Sequence, residues 1–74
     1  MPESCYSKDR EWINQQLGYL NNIERQRVCV AYSLVFNEAF TVEEREQRKL
    51  NRARYEANTR LRIYIEKKLA VFNK

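Results

Sequence analysis

The chain has 74 residues, 14 Lys or Arg against 10 Asp or Glu, no histidine, and is 43% hydrophobic and 12% aromatic. That length allows one small domain with a marginal core, and the aromatic content argues against a disordered chain. The absence of histidine and of any CxxC pair argues against a metal site and a histidine-based catalytic centre. With one glycine and one proline there is little to build tight hairpins, so the sequence reads as all-α over 1–74.

Residues 1–6 read as a flexible tail. The start MPESCYSKDREW is polar and charged with no apolar core of a signal peptide. The longest apolar stretch, VCVAYSLVF, falls far short of the ~20 residues that cross a bilayer. The expected location is therefore cytoplasmic, with no membrane partner. Cys29 lies in the apolar run and reads as a small core residue, Cys5 as a free surface thiol, and no disulfide is expected.

The first helix is predicted over about 8–20. Ser7 is a candidate N-cap, Asp9 and Glu11 suit the positive end of the helix dipole, and Trp12, Ile13, Gln16, Leu17 and Leu20 share one face. Gly18 weakens its end.

The second helix is predicted over about 23–39. Asn21 with Glu24 three residues on resembles a capping box. Val28, Cys29, Tyr32, Val35, Phe36, Ala39 and Phe40 lie on one broad face, while Val30 and Leu34 point the other way. Its length excludes a strand.

The third helix is predicted over about 42–72. Thr41-Val42-Glu43-Glu44 reads as a second capping box, and no glycine or proline follows. Leu50, Ala53, Ala57, Leu61, Tyr64, Ile65 and Phe72 form its apolar stripe. Unbroken, it would be about 46 Å long, against a diameter of about 30 Å for a compact chain of this size. Either it breaks at Asn58-Thr59 or its far half packs on something else. The expected architecture is a helical hairpin of the first two helices plus a long third helix, bundle-like and dimeric.

Charge is uneven. Residues 1–40 carry four basic and five acidic groups, and residues 41–74 carry ten basic and five acidic ones. Arg45, Arg48, Lys49, Arg52 and Arg60 fall in a sector of about 120° opposite the apolar stripe, with Tyr55 at its edge. That pattern fits either a phosphate-binding face or a solvated face held by pairs such as Glu56 and Arg60. No helix-turn-helix spacing or RNA-binding sheet motif accompanies it.

The sequence carries no nucleophile–base pair and no phosphate loop, so an enzyme, a cofactor and a small-molecule ligand are not expected. The reading that fits best is a regulatory, adaptor or inhibitor protein that works by binding another protein or itself. Such small chains are frequent among phage- and plasmid-encoded modulators. The expected interface residues are Val30, Leu34, Leu61, Tyr64, Ile65 and Phe72. The second reading is nucleic-acid binding through Arg45, Arg48, Lys49, Arg52, Tyr55 and Arg60. A purely structural homo-oligomer is the third.

Overall fold

The computed structural model describes residues 1–72, with side chains through residue 71. It contains three α-helices, α1 (Arg10–Leu17), α2 (Asn22–Val42) and α3 (Glu46–Phe72), and no strand among the described residues. A single 3-10 turn, Ser7–Asp9, leads into α1. The fold is thus all-α as expected, with shifted boundaries and a different pairing.

The dominant packing is between α2 and α3, which run antiparallel as one long hairpin, with α1 laid against α3. The expected hairpin of the first two helices is therefore not the one formed. Three cross-links set the register of α2 on α3: Lys49 to Phe40, Tyr32 to Asn58, and Glu24 to Lys68. Ala53, Ala57, Leu61 and Ile65 repeat every fourth residue and are all buried. The two alanines let α2 approach closely, and Tyr32, Phe36 and Ala39 of α2 fill the opposite wall.

An isolated helix of 8 residues is too short to persist in water. It is held because Ile13 and Leu17, four apart and so on one face, are 0% and 2% exposed. Burying side chains of that size contributes about 2–3 kcal/mol each. Ser7 does not cap this helix: Asp9 occupies the N-cap without a side-chain cap bond. Gly18 is right-handed helical and plays no left-handed terminating role. Instead the Arg25 guanidinium reaches back from α2 and donates to the Leu17 and Leu20 carbonyls at 3.3 and 3.2 Å, satisfying groups that a helix end leaves unpaired.

The capping box at Asn21 forms as the sequence predicts. The Asn21 carboxamide accepts from the Glu24 N–H at 2.9 Å, and the Glu24 carboxylate accepts from the Asn21 N–H at 3.3 Å. The box at Thr41 does not form, because α2 runs through Thr41 to Val42. Glu43 adopts extended backbone there and its carboxylate accepts from the Arg45 N–H at 3.2 Å. Lys49 then donates to the Phe40 and Glu43 carbonyls at 3.1 and 2.6 Å, closing the C-terminal end of α2.

The molecule measures 43 × 20 × 19 Å with a radius of gyration of 12.7 Å. It is a rod as long as its own longest helix: 27 residues of α3 span about 40 Å. The expected overhang does not arise, because the 21-residue α2 and then α1 lie along α3. Nor does α3 break at Asn58, whose carboxamide is engaged in tertiary hydrogen bonds. Residues 1–6, expected to be a loose tail, are packed: Pro2 is buried, the Ser4 N–H donates to the Ser33 hydroxyl at 3.1 Å, and Cys5 lies against the core. Cys5 and Cys29 are both free and half-buried, so Cys5 is not the surface thiol its position suggested.

Candidate interaction surfaces

One polar cluster joins the N-terminal segment and the turn before α1 to α2 and α3. The Arg54 guanidinium donates two bonds to the Asp9 carboxylate, at 2.7 and 2.8 Å, and stacks over the Tyr6 ring at 4.4 Å. The Asn58 amide donates to the same carboxylate at 3.1 Å, and its oxygen accepts from the buried Tyr32 hydroxyl. The Arg54 hydrogen bond, helped by Asn58, holds the Asp9 carboxyl below its ordinary 3.8. Burial pushes the Tyr32 phenol well above its ordinary 10.0. Each member has a partner, and no buried side-chain N or O atom among the described residues lacks one. The cluster is a structural clasp: Arg54 belongs to it and not to a free basic face.

The six residues expected to read phosphates do not form one surface. Lys49 is committed to the end of α2 and lies 5.5 Å over the Phe40 ring. Arg52 is held between Glu56 at 3.4 Å and Glu43 at 3.7 Å. Arg45 and Arg48 are exposed and in no ion pair among the described residues, and Tyr55 is 72% exposed. Arg60 shares one shallow pocket with Arg52 and Glu56 and also borders a groove between α2 and α3 with Arg27, Val28, Ala31, Val35 and Tyr64. The arginine bond to Glu43 also contributes to lowering that carboxyl, behind the larger effect of the Arg45 N–H.

Of the expected interface residues, Leu61 and Ile65 are 3% and 2% exposed and belong to the core. They face α2 and α1 because the i, i+4 ridge of α3 is the one used inside the chain. Tyr64 is partly exposed on the groove. The side chain of Phe72 lies outside the described residues. Val30 and Leu34 point away from α3, at 62% and 64% exposure, and Ile23 joins them at 65%. Ile23 was legible in the sequence: positions 23, 30 and 34 fall within about 40° of one another at roughly 100° per residue. The edges of this ridge, with Arg27 and Glu38 on one side and Gln26 and Asn37 on the other, had the same signal.

Among the described residues there is no group of three or more Cys, Asp or Glu placed to hold a metal ion, and no helix is long and apolar enough to cross a membrane. The chain matches no family model, no curated protein and no solved structure.

Proposed function

We propose that this protein is a non-catalytic binding module, an adaptor or inhibitor that docks on a protein partner through the outer ridge of α2. The observation that carries the reading is that Ile23, Val30 and Leu34 stay 62–65% exposed on one line of a helix whose opposite side is core. Isolated surface apolar residues are ordinary, but an aligned run of large ones on a rigid helix is the usual form of a binding face. Polar edges on both sides of the line match the rim of such a site.

The test replaces Val30 and Leu34 with Ser in the full chain and compares partner capture and helical circular dichroism with wild type. The expected result is unchanged helicity and at least a tenfold loss of the captured partner. Retained binding removes the ridge from the function; loss of helicity means that the two side chains stabilise the fold and that the docking reading fails.

A second reading, nucleic-acid binding, is favoured by the exposed Arg45, Arg48 and Tyr55 near the start of α3. Phosphate contacts give an affinity that falls as a power of salt concentration. Arg45→Glu with Arg48→Glu spares the structural Lys49 and Arg52, and should abolish a salt-sensitive shift of duplex DNA or RNA. No shift at low salt, or one that survives the double substitution, rules this reading out.

A further inference from the structure

We propose that the occupant of the α2 ridge is a second copy of this chain, packed antiparallel across a twofold axis near Tyr32. The inference rests on the reading of the ridge as a binding surface and names its partner.

The ridge is nearly the same read in either direction. About a point near Tyr32, Val30 is mirrored by Leu34 and Ile23 by Thr41, all outward-facing and exposed. On one edge Arg27 is mirrored by Glu38, and on the other Gln26 by Asn37, and these four are also exposed. A twofold axis perpendicular to α2 and lying in the interface reverses the helix direction but keeps each edge on its own side. Val30 then meets the partner's Leu34, and Arg27 meets the partner's Glu38, each contact made twice. The Gln26 and Asn37 carboxamides oppose one another in the same way, amide against amide.

Charge selects this arrangement over its alternative. A parallel pair, whose axis runs along the helix, would instead bring each edge against the partner's opposite edge, setting Arg27 beside the partner's Gln26 and Glu38 beside the partner's Asn37, so only the antiparallel pair brings Arg27 to Glu38. Within the chain, Arg27 and Glu38 enter no ion pair among the described residues, whereas Glu24, Glu43, Arg52, Arg54 and Lys68 all do. An unrelated partner has no need of an apolar line whose two edges are each self-complementary about one point. An isologous contact needs that symmetry.

The ridge from Ile23 to Thr41 is about 27 Å long at 1.5 Å per residue, the width of one helix. Such a contact is smaller than the roughly 800 Å² per partner of a standard interface, so the dimer forms in a concentration-dependent way. It leaves the Arg48 and Tyr55 side of both copies on the outside.

The experiment is sedimentation equilibrium of the full chain from about 10 to 500 µM, concentrations chosen to bracket micromolar dissociation. Four samples are compared: wild type, R27E, E38R and the double variant R27E/E38R, with a fifth made by mixing the two single variants. Wild type should rise toward twice the 9.0 kDa of one chain. Each single variant should dissociate at least tenfold more readily, because it opposes like charges at both edge contacts. The double variant should recover, and so should the mixture, since a heterodimer of the two singles again pairs opposite charges. A wild type that stays at the mass of one chain at the highest concentration overturns the proposal, as does a dimer indifferent to the single substitutions or one that neither the double variant nor the mixture restores. If Val30→Ser with Leu34→Ser loses a partner or a dimer while the charge variants change nothing, the ridge binds in some other way: the docking reading then stands and the antiparallel dimer does not.

Discussion

Asp9 shows how much of this molecule depends on single polar contacts between distant positions. Its carboxylate is 14% exposed and takes three hydrogen bonds from α3, two of them from Arg54 across 45 positions of sequence. Removing it leaves the Arg54 guanidinium and the Asn58 amide without their acceptor at the α1–α3 junction. A hydrogen bond to a charged group is worth about 1.5–3 kcal/mol when shielded, and partial exposure of Arg54 discounts that. Asp9→Ala should therefore cost about 1–2 kcal/mol. Asp9→Asn, which keeps one acceptor, should cost less. Urea unfolding reads both as a lower midpoint with an unchanged slope. If Asp9→Ala keeps the wild-type midpoint, the clasp has no role in holding α1. The partnership was not legible in the sequence, where Arg54 looks like one more member of a basic run. A one-dimensional pattern reports which side of a helix a residue occupies, not which residue waits there.

At the scale of elements, the informative comparison is between two similar motifs with opposite outcomes. Asn21 and Glu24 cap α2 because nothing else competes for the Asn21 and Glu24 N–H groups at that turn. Thr41 and Glu44 have the same spacing but fail, since α2 keeps its i→i−4 bonds through Val42 and places Ala39 in the core. The C-terminal carbonyls are then satisfied by Lys49, a residue from the following helix. The Arg25 bonds to Leu17 and Leu20 act in the same way on α1. Both ends are closed by long cationic side chains from the next element, a device that has no fixed sequence spacing. Periodicity served better than motifs: the inward faces of α2 and α3 and the outward direction of Val30 and Leu34 all follow from 3.6 residues per turn. The pattern failed at Phe40, which it placed on the inward face of α2 and which is 40% exposed, and where it had to divide the apolar side of α3 between core and surface. It placed Leu61 and Ile65 in an intermolecular contact, because it treated α1 and α2 as too short to cover them.

At the scale of the whole molecule, the fold is a rod 43 Å long and about 20 Å thick, with three ion pairs at the junctions between elements. Asp9 joins the 3-10 turn before α1 to α3, Glu24 joins the start of α2 to Lys68 near the end of α3, and Glu43 lies in the connection between α2 and α3. All three carboxyls are held below their ordinary values of 3.8 for Asp and 4.5 for Glu. The chief causes are the bond from Arg54 for Asp9, the bond from Lys68 for Glu24, and the Arg45 N–H for Glu43. The unfolded chain therefore binds these protons at a higher pH than the folded one. Below the ordinary values stability falls as protons are added, and above them the contribution is fully present. The melting temperature should be nearly flat between about pH 5 and 8 and drop as the pH falls from about 4.5 toward 3. Asp9→Asn should lower the neutral-pH plateau and flatten that acid slope, because one of the three linked groups is gone. Thermal melts followed by helical circular dichroism across this range test both points. If the melting temperature holds steady down to pH 3, or the slope is the same in Asp9→Asn, the junction carboxylates are not what couples the hairpin to α1.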